Sequence, residues 1–181
     1  DSILTQTYTH WECIVVDDGS IDSTDELLAG YCKKDERFQY HHRPNDRPKG
    51  ANACRNYGFE LCKGVYINWF DSDDLMENCF MQEKVSFLNK ENNIDFIVSK
   101  CINLHSDGGL SDIDYYGEMM KSDLNVENFI LETARWLTPD FLIRKNSIKD
   151  TLFNEKLMSG QEYNFFINLL AFNKIEGMFL D

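Results

Sequence analysis

The sequence predicts an α/β domain: a mostly parallel sheet with helices on both faces. Three observations carry that prediction. Short apolar runs rich in β-branched residues alternate with segments of helical periodicity, the connections between them are short, and two of the runs end in acidic turns. The 181 residues suit one domain around one core.

Taken in order, Glu12 to Asp17 (ECIVVD) reads as a buried strand ending in the turn Asp18-Gly19-Ser20. Asp22, Ser23 and Thr24 then supply an N-cap, and Leu27, Leu28, Tyr31 and Cys32 recur at helical spacing up to the charged stretch Lys33 to Arg37. Phe38 to His41 is a second short strand, with His41 and His42 as strand-end residues. A loop containing Pro44, Asn45, Asp46, Pro48 and Gly50 leads into a helix over Ala51 to Cys62, stopped by Gly64. Val65 to Phe70 is the next strand, and a helix over Cys79 to Asn89 precedes a strand over Asp95 to Cys101. Leu104 to Ser122, with Gly108-Gly109, Asp112 and Asp114, reads as a loop, a hairpin or a substrate-side excursion. Val126 to Leu131 is helical, Phe141 to Ile143 a strand, and Tyr163 to Phe172 an apolar helix. The sequence stops at Phe179-Leu180-Asp181, in or just after another strand.

Hydrophobic residues make up 43% and charged residues 27%, the balance of a globular domain rather than a disordered chain. Eighteen Lys and Arg against 31 Asp and Glu give a formal charge of -13, which opposes nonspecific binding to nucleic acid and to anionic membranes. Six cysteines, at 13, 32, 54, 62, 79 and 101, form no C-x-x-C pair and read as buried free thiols of a reducing compartment, the cytoplasm. No apolar run is long enough for a membrane span, and no secretory leader is visible.

The chemistry is concentrated where two strands end. Asp17-Asp18 follows one, and the stretch VYINWFDSDDL places Asp71, Asp73 and Asp74 after another. In an open parallel sheet ligands bind beyond the carboxyl ends of the strands, so both clusters border one crevice. Carboxylates gathered there are tolerable if a cation neutralises them or a proton is taken up, and hard oxygen ligands favour magnesium, manganese or calcium. The plainer alternative is that each cluster caps the helix after it.

Three stretches, SILTQTYTHWECIVVDDGSIDST, RPKGANACRNYGFELCKGVYINWFDSDDL and FNEKLMSGQEYNFF, resemble in that order the inverting nucleotide-sugar glycosyltransferases of family 2, which have the Rossmann-like GT-A fold. The resemblance implies a nucleotide-sugar-binding half over residues 1–103 and an acceptor-side half over 104–181. It implies that Asp17 and Asp18 contact the donor nucleotide, with Lys49 and Arg55 bordering its phosphates, and that Asp71, also a donor-binding residue, forms the D-x-D motif with Asp73. Asp73, with Asp71, would then hold a divalent metal, Mn2+ or Mg2+, under the diphosphate; Asp74 is a neighbour. Two readings stand for Arg55: a phosphate-facing cation, or a helix residue paired with a carboxylate. In GQEYNFF, Gln161 takes the place of the family's Glu and Glu162 that of its Asp, which makes Glu162 the candidate base. Glu is one methylene longer than the family's Asp, and its place is also that of a helix first-turn acid. Trp136, before LTPDFLIRK, and Gln161 fall on the acceptor side, although a lone Trp is more often core.

The implied partners are a nucleotide-diphosphate sugar and a glycan or lipid-linked acceptor, as in cell-surface polysaccharide or glycolipid synthesis, the latter at the inner face of the membrane. Against the family pattern the chain lacks the first strand and turn, and the segment expected to close over the donor, so truncation at both ends is expected. Two rival enzymic or signalling readings share parts of the pattern. A sugar nucleotidyltransferase shares the acidic metal site. A receiver-like domain would use Asp71 as phosphoacceptor with Lys100, but leaves RPKGANACRN unexplained.

Overall fold

The computed structural model describes residues 1–105, 107–111 and 122–180. The chain folds as an α/β domain in which β1 (Cys13–Asp17), α1 (Thr24–Lys34), β2 (Phe38–His42), α2 (Ala51–Leu61), β3 (Tyr66–Ile67), α3 (Phe80–Lys90) and β4 (Phe96–Ser99) alternate as the sequence predicts. The second half adds β5 (Asn103–Leu104), β6 (Leu110–Ser111), α4 (Val126–Ile130), β7 (Phe141–Arg144), α5 (Lys145–Ile148), α6 (Gln161–Asn173) and β8 (Gly177–Leu180).

β1 and β2 pair in parallel, with Asp17 opposite His42. The four-stranded sheet has the order β3-β7-β4-β8. β4 and β8 are parallel, and β7 runs antiparallel to both β3 and β4, so three of the four strands share one direction. Part of the span read as loop, hairpin or excursion is a hairpin, β5 with β6; residues 112–121, with Asp112 and Asp114, lie outside the described residues.

The core is aromatic. Trp69, Phe96, Phe129, Trp136, Phe141, Phe153, Phe165 and Phe166 are all buried in one cluster between the four-stranded sheet and α6. A second, smaller cluster of Val85, Leu88, Ile94, Ile97 and Leu142 packs α3 on the other face. Burial on both faces explains why β4 and β7 read as continuous apolar runs without alternation.

Three elements differ from expectation. β3 was expected over Val65 to Phe70, but its ladder stops at Ile67. The Asn68 amide takes the carbonyl oxygens of Thr138, Pro139 and Phe141 at 3.1, 3.1 and 2.7 Å, where further strand bonds would have formed. Helix α6 begins at Gln161, two residues before the expected start, with Glu162 in its first turn as one reading of the sequence had it. Helix α1 forms with helical spacing yet buries no residue, and Leu27 stays 61% exposed, because it packs on a sheet only two strands wide. The cysteines are free, but most are half-buried and Cys79 is exposed.

Candidate functional site

The first acidic cluster is built around its own turn. Asp17, 7% exposed, accepts hydrogen bonds from the Gly19 amide at 2.8 Å, from the Ser20 amide and from the Ser20 hydroxyl. Burial by itself would raise its pKa, but these bonds, with His42 Nδ1 3.5 Å away, outweigh it and hold the carboxyl below its usual range. Gly19 has φ +95°, a left-handed conformation that the turn requires and that glycine adopts without strain. Asp18 turns the other way and pairs with Arg43 Nε at 2.5 Å.

Helix α2 connects this cluster to the second. Burial pushes the Cys54 thiol up to about 11; Asp18 and Asp17 add to the rise while Arg43 and Arg55 oppose it. Cys54 therefore lies in the field of the first cluster, and its neighbour Arg55 serves the second. Arg55 Nη2 lies 3.0 Å from Asp71 Oδ1 and 3.4 Å from Glu162 Oε1. Arg55 thus pairs with two carboxylates, and the two acids come from separate elements.

That meeting is enforced from below. Asn52 and Asn56, four residues apart on α2, bind the carbonyls of Asn154 and Phe153, and the Phe153 amide donates back to Asn56. The segment entering α6 is thereby fixed to α2. The Trp69 indole donates to the Arg55 carbonyl at 3.3 Å and packs edge-on against Phe153 and Phe165, which themselves stack at 4.0 Å. The strand exit carrying Asp71 is locked to the same helix, so the acidic turn, Arg55 and Glu162 share one support.

Glu162 has a second partner. The Thr138 hydroxyl donates to the same oxygen, Oε1, at 2.5 Å. Beside them opens a hollow of about 380 Å³ lined by Arg55, Arg135, Gly160, Gln161, Glu162 and Tyr163. A hollow lined by a carboxylate, two guanidiniums and a phenol suits a polyhydroxylated ligand.

Asp71 and Asp74 close a turn, with the Asp74 amide on the Asp71 carbonyl at 3.3 Å. The pKa of Asp74 is raised, first by partial desolvation of its carboxyl group and then by Asp71, Asp73, Asp140 and Glu162. Among the described residues no three His, Cys, Asp or Glu side chains are grouped to hold a metal unaided. Asp71 and Asp73 offer carboxylate oxygens, the donor type that magnesium and manganese take together with phosphate and water oxygens.

The residues singled out from the sequence separate accordingly. Asp71, Arg55, Glu162 and Gln161 come together, and Asp73 lies on the same turn as Asp71. Lys49 is exposed and makes no hydrogen bond or ion pair with the described residues. Trp136 is a correction: expected on the acceptor side, it is 1% exposed and packed among Phe96, Phe129 and Phe166, where it cannot stack on a sugar ring. Sequence reasoning missed Thr138, Arg43 and Arg135. Only Arg43, directly after a strand end, carried a positional signal.

A family model described as glycosyl transferase family 2 matches residues 1–148. The chain belongs to glycosyl transferase family 2. An uncharacterized glycosyltransferase of Rickettsia conorii is 32% identical over 180 residues, covering 98% of this chain but 28% of that protein. The chain thus spans little more than a quarter of that family 2 relative. Among solved structures, S. aureus TarS in complex with UDP-GlcNAc superposes with a TM-score of 0.77 at 20% identity, over 99% of this chain and 50% of that one. A mannosyltransferase of Pyrobaculum calidifontis, PcManGT, in complex with GDP-Man and Mn2+, gives 0.74 at 13% identity over 99% and 49%. The fold of this family 2 chain is GT-A.

Proposed function

We propose that this chain is the donor-binding and catalytic part of an enzyme that transfers a sugar from a nucleotide-diphosphate sugar to an acceptor hydroxyl with inversion. The observation that carries the reading is the single guanidinium of Arg55 spanning Asp71 of the acidic turn and Glu162 at the hollow. It sets a candidate metal-side carboxylate and a candidate base on the two sides of one cation. The nucleotide sugars bound to S. aureus TarS and to PcManGT, the latter with Mn2+, support the donor class.

In this reading Glu162 takes the proton of the acceptor hydroxyl as that oxygen attacks the anomeric carbon from the face opposite the diphosphate. The anomeric bond to the diphosphate breaks, and its electron pair leaves with the phosphate oxygen. Asp73, with Asp71, would hold a divalent cation, which supplies charge neutralisation to the diphosphate. Asp18, 30% exposed in its side chain, is the carboxylate of the first cluster available to a nucleotide ribose; Asp17 shapes the turn that presents it. Arg55 and Lys49 offset donor phosphate charge. In this reading the acceptor, of the cell-surface polysaccharide or glycolipid class, presents its hydroxyl at the hollow beside Glu162. No helix among the described residues is long and apolar enough to cross a membrane.

The test is a panel of UDP-, GDP- and dTDP-sugars, each with manganese, scored on the full-length protein by thermal shift and by release of nucleoside diphosphate. Stabilisation and turnover with one donor support the reading; no response to any donor refutes it.

A further inference from the structure

We propose that Thr138 is a positioning residue that fixes the carboxylate of Glu162, and that the buried Lys84 ammonium and the Asn68 amide hold the turn presenting it. The proposal rests on Glu162 acting as base.

Thr138 is completely buried, and its hydroxyl has one proton to give, which goes to Glu162 Oε1 at 2.5 Å. Arg55 Nη2 approaches the same oxygen at 3.4 Å. Among the described residues nothing donates to Oε2, so one oxygen is pinned and the other is left to accept a proton. A glutamate has one more rotatable bond than an aspartate and loses more freedom when held, so a base of this length needs an external restraint to keep one geometry. Sitting on a helix N-terminus alone would not select a rotamer.

The restraint is useful only if Thr138 is itself immobile. Its turn, Leu137 to Phe141, is gripped from two elements. From the end of β3 the Asn68 amide binds the carbonyls of Thr138, Pro139 and Phe141. From α3 the Lys84 ammonium donates to the Asp140 carbonyl and lies 3.8 Å over the Phe80 ring. Within the turn, Asp140 Oδ2 accepts from the Leu137 amide at 3.1 Å. Lys84 is 1% exposed, and burying an ammonium is costly where an apolar side chain of similar length would fill the space. What it bonds is the backbone carbonyl two residues from Thr138.

The test uses T138V, which keeps the volume and removes the donor, and T138S, which restores the donor, both in the full-length protein. Crystal structures give the first readout: the Glu162 carboxylate is expected in one position in wild type and T138S, and displaced or split over positions in T138V. Unchanged placement in T138V overturns the proposal. The second readout is manganese-dependent hydrolysis of UDP-GlcNAc or GDP-mannose. Here kcat is expected to fall roughly 10- to 100-fold in T138V with donor KM within about twofold, and to recover in T138S. On an E162Q background T138V is expected to cost nothing further. Full turnover in T138V, or an equal loss on both backgrounds, overturns the positioning role while leaving the base reading standing if E162Q alone is inactive. Retained turnover in E162Q refutes the base reading, and the positioning role with it.

Discussion

Arg55 and Glu162, 107 residues apart in the chain, meet at 3.4 Å, and the same guanidinium nitrogen holds Asp71 at 3.0 Å. One cation thus balances two acids that the sequence places in different elements. The three side chains are 14%, 24% and 42% exposed, sheltered enough to interact yet open to a ligand that would exchange partners with them.

Because Arg55 and Glu162 are coupled directly, a double-mutant cycle over R55M and E162Q is expected to show an interaction of about 0.5–2 kcal/mol in urea denaturation. R55K is expected to retain only part of it, since a compact, strongly hydrated ammonium on a flexible stem does not reproduce the fixed position from which Nη2 reaches both carboxylates. Additive losses would mean the pair is a contact without energy.

E162Q is expected to abolish nearly all transfer while donor affinity stays within about twofold, because a base acts on the acceptor proton in the transition state. D73N should behave in the opposite order: manganese-dependent donor stabilisation falls first, and turnover is lost as its consequence. Thermal shift with and without manganese, beside turnover, separates the two variants.

Burial presses the Lys84 ammonium down to about 7, with Asp140 opposing the change only in part. Its folded pKa is therefore below the unfolded value, so between about pH 7 and 10.5 the unfolded chain holds a proton the folded one has released. Stability from this group rises with pH across that window, and below it the full cost of the buried charge is present. K84M is expected to flatten the rise by roughly 1 kcal/mol per pH unit between pH 7 and 9, read from urea midpoints. Identical slopes in the two proteins would contradict it.

Gly177 lies opposite Phe96 in the β4–β8 ladder, and a methyl group there would run into the Phe96 ring. G177A is expected to cost about 1–3 kcal/mol, since neither the ring, which is fully buried, nor the paired backbone can yield. A thermal midpoint equal to wild type would show that β8 is free to shift.

Much of the first half was legible from residues alone. The alternation of ECIVVD, helix, FQYH, helix and VYINW predicts β1 to β3, since each element is set by local periodicity and turn chemistry. The acidic turn at Asp71 to Asp74 and the first-turn place of Glu162 were legible for the same reason. Where local pattern misled, a distant partner had intervened. Asn68 ended β3 by bonding carbonyls some seventy residues away, and Trp136 went to the core because Phe96, Phe129 and Phe166 surround it.

The sequence by itself determined the α/β class, the family and where along the chain the acidic turns fall, because those rest on short-range patterns and on residues adjacent in the chain. Only the tertiary structure decided what each acid touches: Asp17 with its own turn, Asp18 with Arg43, Asp71 and Glu162 with Arg55, and Glu162 again with Thr138. A hydrogen bond or ion pair depends on a few ångströms between elements, and that separation is set by how an aromatic core packs, which no local stretch of the chain encodes.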